Sequence, residues 1–207
     1  LHGLCVDRHV LETEGLVKVL NEDAPDADKK MLVNLGSQMD GHEIVIKGAE
    51  NQALPEGEVG ELMVSGPSVA QGYYENKQAT EDIFLQKIKG KEQPFLATGD
   101  TALLWKGELY FAGRIKDIII IRGRNYYPHD IELVLAGVEE LRPGCLMAYA
   151  SGAEDESEHL AVAVEVREDL LKDLEVFSKY VLTSIDQKII EIVGKHFQIA
   201  PTERLYL

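Results

Sequence analysis

The first half of the chain alternates polar and apolar residues in short runs. The stretches "HEIVIKG" and "GELMVSG" follow this two-residue period, and "ALLWKGELYFAGR" contains two such runs around Lys106 and Gly107. Alternation predicts strands with one buried face, and the Lys-Gly pair predicts the turn of a hairpin. "FLATGD" predicts a short strand that ends in a polar turn, and Asn76 predicts the cap of a short helix.

The pattern changes after Gly113. The four isoleucines at 118–121 predict a strand buried on both faces, and Pro128 predicts the first turn of a helix. Apolar residues recur at helical spacing from Asp169 to Phe197. Three further stretches, "CLMAYASG", "HLAVAVEVR" and "IAPTERLYL", predict strands, and the acidic loop "AEDESE" separates the first two.

These elements predict an α+β protein with two parts. Residues 1–113 form a β-rich subdomain, and residues 118–207 form a small C-terminal α/β domain. The charged segment 114–117 between them has no Pro-, Gly- or Ser-rich linker.

Composition narrows the classes of function. The chain has 45% hydrophobic and 28% charged residues, as is typical of soluble globular proteins. No apolar run approaches the roughly 20 residues that span a bilayer. A formal net charge of −15 argues against binding to nucleic acid or to an anionic membrane surface. Cys5 and Cys145 are expected to be reduced thiols of a cytoplasmic protein.

Candidate functional residues surround the isoleucine run. Arg114, Lys116, Arg122 and Arg124 form a basic cluster within an otherwise acidic chain. Gly123, having no side chain, either permits close approach of a narrow ligand or simply occupies a turn.

Asp100, which ends "ATGD", either accepts hydrogen bonds from two vicinal hydroxyls of a ribose or caps a turn. The chain has no Walker loop, GxGxxG, GxSxG, CxxC or HExxH motif, and its histidines are scattered, so no metal site is expected.

Three segments in series are more specific than any of these residues alone. "GEVGELMVSGPSVAQGYY", "ATGD" and "GELYFAGRIKDIIIIRGRNYYPHDIE" occur in this order with compact spacing. Together they resemble the adenylate-forming superfamily, which comprises acyl-CoA synthetases, luciferases and peptide-synthetase adenylation domains. Within it, the last segment is most similar to that of the fatty acyl-AMP ligases. The resemblance implies the C-terminal portion of such a ligase, in which a distorted barrel-like β subdomain precedes a small mobile domain.

The resemblance also implies roles for single residues. Asp100 would bind the ribose of AMP, Arg114 would contact the nucleotide, and Lys116 would be the hinge of the small domain. Gly123 would lie beside the pantetheine path. Because acyl carrier proteins are acidic, Arg122 and Arg124 are the expected docking site for one.

The implied reaction joins a fatty acid to ATP, giving acyl-AMP and pyrophosphate, and then passes the acyl group to an acyl carrier protein. An acyl-CoA synthetase using coenzyme A and a non-catalytic scaffold remain alternatives. The family's phosphate loop, its Mg²⁺ motif and its catalytic lysine motif are not found in the chain. We therefore expect the Mg²⁺ ligands upstream, no catalytic residue in this segment, and no activity of the segment alone.

Overall fold

The computed structural model describes residues 3–21, 23–25, 28–152, 158–172 and 180–207. The chain divides into two compact units, residues 1–116 (unit 1) and residues 117–207 (unit 2). Each unit mixes strands and helices and has its own hydrophobic core, so the predicted α+β class is confirmed.

Unit 1 is built on one six-stranded antiparallel sheet in the order β1-β2-β6-β5-β4-β3. A short 3₁₀ turn, Ala49–Asn51, follows β3. The strands and helices are β1 (Gly3–Asp7), α1 (Arg8–Glu14), β2 (Lys29–Ser37), β3 (Glu43–Lys47), β4 (Gly60–Ser65), α2 (Lys77–Phe84), β5 (Leu96–Trp105) and β6 (Glu108–Arg114).

Local sequence explains several of these elements. The alternating stretches predicted as strands are β3 and β4, which pair with each other. Lys106 and Gly107, both in the left-handed region with φ of 53° and 77°, form the two-residue turn between β5 and β6. The side chain of Asn76 accepts a hydrogen bond from the Ala79 amide and caps α2. These predictions are confirmed.

The prediction that "FLATGD" ends in a polar turn is wrong. β5 continues through Asp100 to Trp105 and pairs with β6 along this length. Gly99 takes a left-handed conformation inside the strand, with φ of 77°. The polar residues Thr98 and Asp100 therefore lie within β5, around the irregular backbone of Gly99, and the strand does not end at them.

Unit 2 combines a small hairpin with a three-stranded sheet of order β11-β10-β9. β10 is antiparallel to β9 and parallel to β11. Two 3₁₀ turns, Ile115–Asp117 and Glu168–Lys172, lie before the hairpin and after β10. The strands and helices are β7 (Ile119–Ile121), β8 (Arg124–Tyr126), α3 (Pro128–Leu135), β9 (Leu141–Ser151), β10 (His159–Val166), α4 (Leu182–Phe197) and β11 (Glu203–Tyr206).

The isoleucine run is only partly buried, which corrects the expectation of a strand buried on both faces. The strand contains Ile119 to Ile121, and Ile120 is 51% exposed whereas Ile119 is buried. The reason is that β7 pairs only with β8 in a two-stranded ribbon, so one face contacts the core and the other faces solvent. Pro128 begins α3, as predicted.

Helix α4 closes the core of unit 2 with one apolar face. Ile185, Ile189, Val193 and Phe197 recur every four residues and are all buried. The helical pattern predicted from Asp169 includes residues 173–179, which lie outside the described residues, as do residues 153–157 of the acidic loop.

A polar cluster joins α4 to β11. Asp186 of α4 accepts hydrogen bonds from Arg204 Nε at 2.5 Å and from the Tyr206 hydroxyl at 2.7 Å. Burial alone would raise the pKa of Asp186, but these two hydrogen bonds and the Arg204 charge outweigh it and lower the pKa. The ionised carboxylate therefore stabilises the packing of β11.

We predict that Ile189→Ala lowers the free energy of unfolding of unit 2 by about 2–5 kcal/mol, because it leaves a cavity in the core. The same substitution at the neighbouring Ile190, which is 36% exposed, is expected to cost less than about 1 kcal/mol. Urea unfolding followed by circular dichroism at the helix band measures the loss, and the fluorescence of Trp105, the single tryptophan, monitors unit 1. Equal losses for the two variants would contradict this packing.

The Asp186 cluster predicts a specific pH dependence. Because the pKa of Asp186 is lowered below its usual range, the carboxylate contributes stability above about pH 4, and this contribution is lost as the pH falls through the folded-state pKa. Asp186→Asn should therefore destabilise unit 2 at pH 6, and the difference from the wild type should shrink towards pH 3. Asp169→Asn, in an exposed pair with Arg167, is the control and should change stability little. A difference for Asp186→Asn that is constant between pH 6 and pH 3 would refute the assignment.

Candidate functional site

Asp100 and Arg114 lie side by side on neighbouring strands. They are direct cross-strand partners on β5 and β6, and Arg114 Nε donates to Asp100 Oδ1 at 3.2 Å. The Arg114 side chain is 68% exposed and that of Asp100 27% exposed, so the pair is open to solvent. The structure thus brings together two of the residues selected from the sequence.

A bulge in the β5–β6 ladder creates this pairing. Starting at the Lys106-Gly107 turn, each residue of β5 pairs with the next residue of β6 as far as the pair Ala102–Phe111. The next residue of β5, Thr101, pairs with Gly113 and skips Ala112. Ala112 is therefore one extra residue in β6. Without it, Asp100 would face Gly113 in place of Arg114.

Buried Lys30 of the neighbouring strand β2 contacts the bulge. Its ammonium group donates to the Ala112 carbonyl at 3.4 Å, and both residues are buried. A bulge disrupts the regular ladder, so its carbonyl needs another partner. Lys30 was not singled out in the sequence, because a lysine in a strand pattern is ordinarily an exposed residue.

Thr98 and Gly99 shape the strand just before Asp100. The Thr98 hydroxyl accepts from the Asp100 amide at 3.1 Å and donates to the Leu62 carbonyl of β4 at 2.9 Å. Gly99 supplies the left-handed conformation that a side chain would disfavour. Thr98 is thus a supporting residue that sequence reasoning missed, although it lies within the "ATGD" segment.

The pair has the chemistry of a diol and anion site. The Asp100 carboxylate accepts hydrogen bonds only, and the Arg114 guanidinium donates them only. A sugar diol offers two donors to the carboxylate, and phosphate or ribose oxygens are acceptors for the guanidinium.

Lys116 lies in the 3₁₀ turn Ile115–Asp117 that follows β6. Both Lys116 and Asp117 are exposed, and the division between the two units falls between them. Within the described parts of the chain, the Lys116 side chain makes no hydrogen bond or ion pair. Its side chain therefore does not oppose a change in φ and ψ at this position.

Arg122 and Gly123 form the two-residue turn of the β7–β8 hairpin, and Arg124 begins β8 directly after it. Arg122 and Gly123 are left-handed, with φ of 53° and 77°, and a Cβ atom on Gly123 would meet nothing within 4 Å. The turn conformation alone accounts for glycine at this position. Arg122 is exposed, and the Arg124 guanidinium lies over the Tyr126 ring, 5.0 Å from its centroid.

Other candidate chemistry is limited. Cys5 and Cys145 are both free thiols. A hydrogen bond with Glu165, together with partial burial, raises the pKa of Cys145, which makes its thiol a weak nucleophile. Among the residues that the structure describes, no three His, Cys, Asp or Glu side chains come together in a way that could hold a metal ion. No helix within the described ranges combines the length and apolar character needed to cross a membrane.

Comparison with known proteins identifies relatives of this chain. The model of the AMP-binding enzyme family matches residues 11–74. A 4-hydroxyphenylalkanoate adenylyltransferase of Mycobacterium marinum is 36% identical over 156 residues, which cover 73% of this chain and 24% of that protein. The medium-chain-fatty-acid–[acyl-carrier-protein] ligase JamA of Moorena producens is 41% identical over 123 residues, covering 58% of this chain and 20% of JamA.

The fold comparison agrees with the sequence comparison. A fatty acyl-adenylate ligase structure, from studies of the E. coli and L. pneumophila enzymes, superimposes with a TM-score of 0.79 and 26% identity. The match covers 100% of this chain and 34% of that one, so the chain spans about a third or less of these relatives. The resemblance seen in the sequence is confirmed: the chain belongs to the AMP-binding family of adenylate-forming enzymes.

Proposed function

We propose that this chain is part of a fatty acyl-AMP ligase. The enzyme would join a fatty acid to ATP, releasing pyrophosphate, and pass the acyl group from acyl-AMP to a carrier thiol. The observation that carries the proposal is the Asp100–Arg114 pair, which presents a carboxylate and a guanidinium together on the sheet of a family that uses AMP. The relatives support it by their names, since one is an adenylyltransferase and JamA is a fatty-acid ligase for acyl carrier protein.

In the proposed site, Asp100 accepts hydrogen bonds from the ribose hydroxyls and Arg114 donates to ribose or phosphate oxygens. Their present contact is a single exposed hydrogen bond, which contributes little stability and can be exchanged for a ligand. Because such phosphoryl chemistry depends on positioning and charge neutralisation, binding the nucleotide firmly is itself a catalytic contribution. We assign the lysine and Mg²⁺ chemistry to other parts of the enzyme.

The domain organisation that we propose follows the same scheme. Residues 1–113 form the β-rich subdomain of the large domain, residues 114–117 the hinge, and residues 118–207 the small mobile domain. Exposed Lys116, at the boundary of the two compact units, is the proposed pivot. We place the enzyme in the cytoplasm, in keeping with its free thiols.

For the second half-reaction we propose an acyl carrier protein as acceptor. Carrier proteins are acidic, and the hairpin turn presents two arginines around Gly123 on a chain of net charge −15. Gly123 would border the path of the pantetheine arm, where its lack of a side chain leaves space. Offering coenzyme A and carrier protein separately to the full-length gene product distinguishes this acceptor from coenzyme A.

We predict that Asp100→Asn reduces ATP–pyrophosphate exchange by the full-length gene product by about 10- to 100-fold, with most of the change in the KM for ATP. The reason is that an amide loses the charge that strengthens hydrogen bonds to the ribose. Asp82→Asn on the exposed face of α2 is the matched control and should leave exchange unchanged. Wild-type exchange in the Asp100→Asn variant would remove Asp100 from the nucleotide site.

We predict that reversing the charge of Arg122 and Arg124 slows acyl transfer to the carrier by about tenfold at low salt, while acyl-AMP formation is unchanged. Loss of electrostatic steering lowers the association rate, and the effect should decrease at high salt. Single-turnover transfer from preformed acyl-AMP measures this step. Because Arg124 also packs on Tyr126, Arg122→Glu alone is compared with Lys195→Glu, an equal charge change at an exposed site of α4. If both single variants transfer at the wild-type rate, the turn does not dock the carrier.

A further inference from the structure

The β7–β8 hairpin has few supports of its own. Each strand is three residues long, and among the described residues the two pair only with each other. Two-stranded ribbons of this size are unstable in isolation. Ile119 and Tyr126 lie in the core of unit 2, and Ile121 packs against the same core, whereas the side chain of Ile120, in the middle of β7, is exposed.

The backbone of Ile120 is held by a side chain from another element. Its amide donates to Glu158 Oε2 at 2.6 Å. In a two-residue hairpin the pair next to the turn, Ile121–Arg124, is the hydrogen-bonded one, so the following pair, Ile120–Asn125, directs its amides away from the partner strand. The Ile120 amide is therefore on the free edge of the hairpin, and Glu158, immediately before β10, satisfies it.

The surroundings of Glu158 make this contact hard to replace. A cleft of about 310 Å³ lies beside it, lined in part by Ile121, Arg122 and the loop residues Gln198 and Ile199. Near the turn, the space between the hairpin, the start of β10 and the loop after α4 is thus not filled by side chains. The carboxylate–amide hydrogen bond connects this edge of the hairpin to the start of β10.

We propose that Glu158 is a positioning residue for acyl transfer. By holding the Ile120 amide it sets the tilt of the hairpin, and so fixes where the turn presents Arg122 and Gly123. The inference rests on the proposed function, in which these two residues serve the acceptor. It assigns no contact with nucleotide to Glu158, so adenylation does not depend on it.

Two substitutions of similar side-chain length distinguish the effect of the hydrogen-bond-accepting oxygens of Glu158 from that of its aliphatic part. Glu158→Met keeps the stem and loses both acceptor oxygens, whereas Glu158→Gln keeps one neutral acceptor. We expect amide exchange of Ile120, measured by NMR on the 207-residue chain, to accelerate more than tenfold in Glu158→Met and about threefold in Glu158→Gln. Exchange of the buried α4 residues Ile185 and Ile189 should stay unchanged, as in the control Glu191→Met on the exposed face of α4.

The functional measurement is made on the full-length gene product. Acyl transfer should fall at least fivefold in Glu158→Met and less than twofold in Glu158→Gln, with ATP–pyrophosphate exchange at the wild-type rate in both. A loss of both half-reactions together would indicate a merely structural role and overturn the proposal. So would unchanged transfer in Glu158→Met.

The outcomes remain decisive in two further cases. If Glu158→Met does not fold, the variant Glu158→Gln is used alone. A selective rise in the exchange rate of the Ile120 amide then supports the Glu158–Ile120 contact as the one that positions the hairpin, and no rise overturns it. If the wild-type protein itself transfers no acyl group to either a carrier or coenzyme A, the proposed function fails. The exchange data would then still show whether Glu158 holds the hairpin.

Discussion

The candidate nucleotide site depends on the register of one antiparallel pair. The left-handed Lys106-Gly107 turn starts β5 and β6 in step, and the extra residue Ala112 shifts them by one position before Asp100 is reached. Because side chains alternate between faces, a shift of one residue decides which side chain stands opposite another. A carboxylate and a guanidinium meet at 3.2 Å only because both features are present. The buried side chain of Lys30, on the adjacent strand β2, hydrogen-bonds to the Ala112 carbonyl and so supports the bulge.

In unit 2, the candidate residues Arg122 and Gly123 also lie on a hairpin. A two-residue left-handed turn again joins two strands, but here the strands are short and the turn itself carries the charges. In unit 1 four further strands of the same sheet and a core hold the hairpin in place, whereas in unit 2 the two-stranded ribbon is held by Ile119, Ile121 and Tyr126 at the core and by the carboxylate of Glu158. Orientation of the second turn is therefore more sensitive to a single polar contact than that of the first.

Local signals predicted much of the fold, and the failures have physical causes. Alternation gave β3 and β4, the Lys-Gly pair gave the hairpin turn, and Asn76 and Pro128 marked helix starts, because each of these depends on neighbours in sequence. The burial of the isoleucines was misjudged, since an apolar run does not reveal how many strands will cover it. The bulge at Ala112 and the hydrogen bond between Glu158 and the Ile120 amide could not be predicted from the sequence for a related reason. Both depend on residues distant in sequence, and a glutamate at the end of an acidic loop looks like any solvated charge.

The distribution of the candidate residues bears on how two half-reactions can share one enzyme. The residues proposed to bind the nucleotide, Asp100 and Arg114, belong to unit 1, and the residues proposed to serve the acceptor, Arg122 and Gly123, belong to unit 2. In the reaction that we propose, the nucleotide would stay bound from the attack on ATP until the acyl group leaves, whereas the acceptor would be needed only in the second step. Under that proposal, the acceptor contacts of unit 2 would change between the two steps without disturbing the nucleotide contacts of unit 1. The proposed hinge is consistent with this division, because Lys116 is exposed and its side chain makes no hydrogen bond or ion pair within the described residues, whereas a buried or anchored residue would resist backbone rotation.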